Sequence, residues 1–454
     1  MSPTFSALAI RNYRLYLTGA LISNTGTWMQ RVAQDWLVLQ LTHGSAAALG
    51  ITTGLQFLPV LLVTPVAGVI VDRANKRRML IATQVFLGLT ALALGLLDIT
   101  GVVTVEAVYV IALLLGVGAA FDTPTRQAFV GEMVGRDELA NAVGLNSASF
   151  NAARIIGPGL AGLLIVWVGT GPVFLVNAAS FVAVVIAQLL MDTSALHPSP
   201  PADRAPGQLR EGLRYIRRRR DLVLILVVVG TVGTFGFNFQ MTTALMATQV
   251  FHKGAGEYGL LGSIMAVGSL TGALIAARRQ RPTLRLVAAG AAAFGAITVV
   301  SGLMPSYLAF AVTLVPVGLS ALTVMTAANA TMQLSVAPHF RGRVMAWYMA
   351  IFMGGTPVGA PFIGWIGEVF GARWTLIVGG AVSGLVGLVV LVLAGALSTS
   401  PARHDDTASA PHEDASTTRD EDASDVSRAR APETSDSLRG AAVEATGPAT
   451  AALR

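Results

Sequence analysis

Apolar residues run along this chain in unbroken blocks of about 18–25 positions, separated by short polar segments. Barrel strands would alternate apolar and polar residues every second position, in segments of about ten. These blocks do not alternate. Continuous apolarity of this length predicts helices that cross a hydrocarbon core about 30 Å thick. Twelve spans are expected, at 14–41, 46–71, 79–100, 104–130, 139–167, 171–191, 222–248, 256–278, 284–304, 306–335, 342–368 and 373–397. The expected fold class is an all-α membrane protein of twelve transmembrane helices in two six-helix halves.

The polar segments divide the blocks. The longest, 192–221, splits the spans six and six, giving halves at 1–191 and 222–397. Its first part, HPSPPADRAPG, cannot pack a core. Its second part, QLREGLRYIRRRR, predicts a basic interfacial helix lying against anionic lipid headgroups. A weak repeat agrees with the split: Gly68 corresponds to Gly272, and Gly157-Pro158 to the proline- and glycine-rich GGTPVGAPFIG at 354–364. From 398 to 454 the chain is rich in Ala, Ser, Thr, Asp and Pro, which predicts a disordered tail.

Composition then narrows the class. Only 12% of the 454 residues are charged, about half the density of a soluble domain. With no cysteine, and six histidines scattered without ligand spacing, disulfides, thiolate chemistry, a metal site and an enzyme mechanism built on them are not expected. No phosphate-binding loop of the GxxxxGK[ST] type occurs, so nucleotide-driven transport and any cofactor are disfavoured. The start, MSPTFSALAIRNYRLY, has no cleavable-signal pattern.

The charge that remains is placed by side. Arg11, Arg14, Arg73, Lys76, Arg77, Arg78, Arg136, the run from Arg210 to Arg220, Arg278, Arg279, Arg281, Arg285, Arg341 and Arg343 all fall in loops on one face if there are twelve spans. Basic loops stay inside, so both termini are expected in the cytoplasm of a bacterial inner-membrane protein. The basicity sits in short loops rather than in a nucleic-acid patch, and the expected partners are the bilayer, protons and a small molecule.

Away from the span ends, charge inside the spans is confined to the first half. Arg31 and Asp35 lie four apart in the first span, Asp122 and Arg126 four apart in the fourth, and Arg154 lies in the fifth. Each such charge costs about 2.5–3.5 kcal/mol on insertion scales, so it faces a cavity or a partner. At i,i+4 spacing each pair can neutralise itself. One reading is a proton site, with Asp35 as carrier, Arg31 and Arg154 as modulators, and Asp122 with Arg126 as a second candidate. The other is a pair of static ion bridges.

Several motifs resemble the major facilitator superfamily. The loop after the second span carries Gly68, Asp72, Arg73, Lys76 and Arg77, similar to the superfamily's loop signature. NTGTWMQRVAQDWLVLQLT (24–42), FDTPTRQAFVGEMV (121–134), LANAVGLNSASFNAARIIGPGLAG (139–162) and RGRVMAWYMAIFMGGTPVGAPFIG (341–364) resemble its exporter branch, which includes the enterobactin exporter and related drug-efflux proteins. The resemblance covers about residues 5–397. It implies export rather than import through the fifth-span motif, kept here as Gly144, Gly157, Pro158 and Gly162. It departs from the superfamily at Ala112, where a proton-associated arginine is usual. It also implies a gate in which Asp72 latches to the start of the eleventh span, while Arg73 and Arg77 reach Glu132.

Spans one, four, seven and ten line the cavity in that superfamily. Here they offer Trp28, Met29, Phe235, Phe237, Asn238, Gln240, Met241, Asn329, Met332 and Gln333, with Gln56 and Phe57 of the second span. Aromatics, methionines and neutral amides suit an amphipathic ligand of modest charge. The expected function is a monomeric proton-coupled antiporter of drugs or secreted metabolites. A siderophore or metabolite exporter of narrow specificity, and a non-transporting membrane sensor or assembly partner, are the alternatives.

Overall fold

In the computed structural model, the described residues are 3–135, 137–197, 208–277 and 282–399. Arg136, Arg278, Arg279, Arg281, residues 198–207 and the tail from Ser400 lie outside them. The described residues form helices and no strand. After a 3-10 turn at Pro3–Ala9 come α1 (Arg11–Leu41), α2 (Ala46–Arg73), α3 (Lys76–Ile99), α4 (Val105–Val134), α5 (Leu139–Val168) and α6 (Thr170–Leu189). A short α7 (Gln208–Arg217) precedes α8 (Arg220–Val250), α9 (Ala255–Ala277), α10 (Leu284–Gly302), α11 (Tyr307–Ser335), α12 (Pro338–Phe370) and α13 (Ala372–Thr399).

Eleven of these helices are long and apolar enough to cross a membrane. The twelfth span, α1, falls short only in apolarity, because Asn24, Gln30, Arg31, Gln34, Asp35 and Gln40 interrupt its 31 residues. The expected spans match these helices to within a few residues; α12 starts earlier, at Pro338, and α4 runs on to Val134. The last helix reaches Thr399, a little past the expected start of the tail.

Local chemistry sets the ends. Side-chain oxygens of Ser45, Asn75, Thr104, Thr283 and Ser306 accept from backbone N–H groups three residues on, starting α2, α3, α4, α10 and α11. Gly169 and Gly371, at φ +82° and +97°, end α5 and α12 in a conformation that a β-carbon resists.

Packing repeats after six spans. α2 lies on α4 as α9 lies on α11, and α3 lies on α6 as α10 lies on α13. Small residues permit these approaches: a Cβ on Gly272 would come within 2.6 Å of Leu319 O, and one on Gly116 within 2.9 Å of Pro59 Cδ. Two further contacts, α2 with α12 and α5 with α9, join the first six spans to the last six.

The short α7 packs on the helical body. Gly212 sits against Arg343, Glu211 pairs with Arg343 at 2.5 Å, and Tyr215 stacks on Phe340 at 4.6 Å, so α7 is docked along the start of α12. Arg210, Arg214, Arg217 and Arg218 remain exposed.

Candidate functional site

The polarity of α1 is spent on its neighbours. Gln30 accepts from Asn177 Nδ2 of α6, and Gln34 Nε2 lies 3.4 Å from Gln56 Oε1 of α2. Asp35, only 6% exposed, accepts from the Tyr258 hydroxyl of α9 at 2.8 Å. The Arg31 guanidinium stacks 4.8 Å from the Trp28 ring centre. Residues 30 and 34 share one side of the helix, and 31 and 35 another about 100° round from it, so the two pairs address different neighbours.

Between these helices lies a cavity of about 460 Å³, within the roughly 300–1,000 Å³ range of small-molecule sites. α1 contributes Trp28, Arg31 and Val32; α2 Thr53 and Phe57; α5 Arg154 and Pro158; α9 Tyr258, Met265 and Ser269; α11 Leu322 and Met325; and α12 Phe352, Met353 and Thr356. From α8 come five consecutive residues, Phe237 to Met241. A regular helix turns 100° per residue and cannot aim five in a row at one space. α8 manages it because it is broken: Phe237 N–H bonds back five residues to Val232 O, and Phe237 and Asn238 leave helical geometry. Such wide turns recur at functional sites.

Of the expected ligand-facing residues, Trp28, Phe57, Phe237, Asn238, Gln240 and Met241 line this space. The others do not. Phe235 faces away, packing edge-on against Phe362 at 5.9 Å. Gln56 is held by Gln34, and Asn329 and Gln333 bond each other at 2.5 Å, with Gln333 exposed at the far end of α11. Met29 and Met332 are core residues. Tyr258, Met265, Ser269, Met325, Phe352 and Met353 were not anticipated. For Tyr258 a signal existed: a hydroxyl-bearing ring just inside an apolar span, able to serve a buried carboxylate.

The two charge pairs part ways. Asp122 and Arg126 form an ion pair at 2.9 Å, and Asp122 also accepts from Thr83 Oγ1 at 3.1 Å and Gln84 Nε2 at 2.5 Å. Arg31 and Asp35 do not pair, contrary to what their spacing allowed. Tyr258 takes the carboxylate and Trp28 takes the guanidinium. Arg154 donates to Ser269 Oγ at 3.1 Å and lies 5.9 Å from the same Trp28 ring.

The helices close over one end of the cavity, the end bearing the 42–45 and 251–254 loops. There a Cβ on Gly50 would approach Gly364 Cα to 3.0 Å, and one on Gly162 would approach Ala255 O to 2.7 Å and Gly256 O to 3.0 Å. Glu368 adds a polar tie, accepting from Ser45 Oγ at 3.0 Å and Ala47 N at 3.1 Å. Gln249 Nε2 donates to Gly44 O at 2.6 Å.

A family model described as transmembrane secretion effector, within the major facilitator superfamily, matches residues 2–422. The chain belongs to this family. Among curated proteins, this chain is 27% identical to the multidrug efflux pump Tap of Mycolicibacterium fortuitum over 391 residues, covering 84% of this chain and 95% of that one. It is 24% identical to the macrolide efflux protein A of Streptococcus pyogenes (72% and 83% covered) and to the staphyloferrin A transporter of Staphylococcus aureus (58% and 66% covered). Solved structures with the same fold include a POT family transporter bound to a thioalcohol-conjugated peptide, with TM-score 0.70, 11% identity, and 86% and 97% covered. A bacterial homologue of the lysosomal transporter Spinster, in an inward-facing, unoccupied conformation, has TM-score 0.63 at 16% identity, with 87% and 96% covered. The fold and relatives are those of multi-pass membrane transporters, which are not enzymes.

The loop signature after α2 is arranged differently from the expectation. Lys76 lies 3.5 Å from Glu132, whereas Arg77 donates to Gln188 O at 2.9 Å and Leu189 O at 3.1 Å, the last carbonyls of α6. A guanidinium there satisfies acceptors that the ending helix leaves open. Arg73 is exposed, and Gly68 and Asp72 occupy the last two turns of α2. At the start of α12, Gly342 has open space where a Cβ would stand.

In the fifth-span motif, a Cβ on Gly157 would meet Trp28 Cβ at 2.6 Å, so this glycine lets α1 bring Trp28 against α5. Gly162 faces α9, and Pro158 lines the cavity while packing on Gly262. Gly144 is exposed and touches nothing.

Proposed function

We propose that this protein is a proton-coupled antiporter that exports small amphipathic organic molecules from the bacterial cytoplasm by alternating access. The observation that carries this reading is the Asp35–Tyr258 hydrogen bond, which ties α1 to α9 beside the cavity. α1 belongs to the six spans of 1–191 and α9 to those of 222–397. Rocking of one half against the other separates the carboxylate from its donor, and a carboxylate's proton affinity depends on such donors and on nearby charge. Substrate binding and proton binding then bias the same two-state movement.

The basic loops and the names of the relatives support the outward direction. With those loops and both termini in the cytoplasm, the closed end at Gly50, Gly162 and Glu368 faces outward. Asp72, near the other end of α2, is the latch of the outward-open state, meeting the start of α12 when that end closes. Asp122, saturated by Arg126, Thr83 and Gln84, holds α4 to α3 instead of carrying protons. The names of the relatives, a multidrug efflux pump, a macrolide efflux protein and a siderophore transporter, favour outward movement of organic compounds. The protein works as a monomer in the inner membrane.

Everted membrane vesicles energised by respiration test this. The probes are labelled amphiphiles of positive (ethidium), neutral and negative charge. At least one is expected to accumulate, and its accumulation to collapse with a protonophore and in Asp35→Asn. Accumulation insensitive to the protonophore, or accumulation of none of the probes, overturns the reading.

A further inference from the structure

Elsewhere in the structure, buried basic groups have oxygen partners. Arg126 has Asp122, Lys76 has Glu132, and Arg373 donates to the Gly302 and Met304 carbonyls at 2.8 Å each. The cavity breaks this pattern. Among the described residues, Arg31 makes no hydrogen bond and no ion pair, and its Nε is buried without an acceptor. Arg154 has only the Ser269 hydroxyl. Both guanidinium carbons lie within 6 Å of one indole, at 4.8 and 5.9 Å from the Trp28 ring centre. No carboxylate lines the cavity, and Asp35 stands behind Tyr258.

We propose that the cavity is built for organic anions, with a carboxylate or similar acidic head held between Arg31 and Arg154, and an aromatic or aliphatic body against the apolar walls. This names the substrate class of the site and rests on the export reading only for the direction of movement. Guanidinium groups present planar forks of N–H donors that match a carboxylate, and two such cations sharing one indole repel each other until an anion sits between them. Contact with the π-system of the one indole holds both guanidiniums beside it, at 4.8 and 5.9 Å from its centre. Phe57, Phe237, Phe352 and Met325 supply the surface for the body. A cationic amphiphile meets like charge here, so the amphipathic ligand of modest charge suggested by the side-chain types alone becomes an acid.

The test uses the purified full-length protein in detergent at pH 7.5 and three ligands with one ring system: 1-naphthaleneacetate, its neutral amide 1-naphthaleneacetamide, and the cation 1-naphthalenemethylamine. Isothermal titration is expected to rank the acid first, roughly 10- to 100-fold tighter than the amide. That preference is expected to shrink with added salt and to vanish in Arg31→Gln/Arg154→Gln. The ranking in the unaltered protein decides the matter even if the double variant fails to fold. Amide or amine binding as tightly as the acid, or no measurable binding of the acid, overturns the proposal. Binding needs no proton gradient, so the two readings fail separately. Anion-selective binding without vesicle accumulation sinks export and keeps the site; accumulation without anion preference does the reverse.

Discussion

Residues 31 and 35 of α1 and residues 122 and 126 of α4 stand at the same helical spacing, one cation and one carboxylate each, yet they end in opposite states. On α4 the partners close on each other at 2.9 Å, and two neighbouring side chains fill the carboxylate's remaining acceptor sites. On α1 the partners are drawn apart, the carboxylate to a tyrosine of another helix and the guanidinium to a ring on its own. Spacing makes an ion pair available; the third party decides whether it forms. Thr83 and Gln84 of α3 bring donors to Asp122, which tighten its hold without competing for Arg126. Tyr258 and Trp28 instead offer each member of the α1 pair a substitute. A closed pair stores position, whereas an open pair leaves each group to a different neighbour.

The difference is breakable by substitution. The largest effect is expected from Asp35→Asn: transport falls to that of membranes lacking the protein while the yield of folded, monodisperse protein is kept, read by vesicle uptake beside size-exclusion profiles. Wild-type uptake in this variant would return the α1 pair to a structural role. Next comes Asp122→Asn, which leaves Arg126 buried without its counter-charge. Denaturant titration in micelles should show a loss of about 3–5 kcal/mol, partly recovered in Asp122→Asn/Arg126→Gln. Stability unchanged by the single substitution would mean that α4's pair is as open as α1's. Tyr258→Phe removes one hydrogen bond to a buried carboxylate and is expected to weaken the closed arrangement by about 1.5–3 kcal/mol, seen as faster hydrogen exchange at the Gly50 and Gly162 end. The smallest change is Thr83→Ala, about 0.5–1.5 kcal/mol of stability with transport intact, since Gln84 and Arg126 still hold Asp122.

The spans were legible because bilayer thickness sets their length and the basic loops punctuate them. The rotation of each span about its axis was not. A soluble helix declares its inner face by an apolar stripe, but a membrane helix is apolar towards lipid and core alike. Phe235 and Phe237 illustrate the loss: two rings two residues apart on one span, one packed on Phe362 and the other lining the cavity. The break in α8 that exposes Phe237 to Met241 had only scattered glycines to announce it. Charged residues were better guides, since an apolar block marks each one as an exception; Arg31, Asp35 and Arg154 all lie at or just behind the cavity wall. What no charge count reveals is that Asp35's partner is a phenol 223 positions away.

The contacts that join α5 to α9 and α2 to α12 are made by helix backbones lying almost bare against each other, at Gly162, Gly256 and Gly259 in one case and Gly50 and Gly364 in the other. At these glycines the joint has no interlocking side chains, so there nothing must be pulled from a socket for it to part. Beside the polar ties from Glu368 and Arg154, its cohesion at these glycines is dispersion, of which a gap of about 0.5–1 Å already forfeits a quarter to a half. The joint therefore behaves like two flat plates held by suction: stiff while seated, far weaker once a gap has opened, and suited to a transporter whose gates are either shut or open.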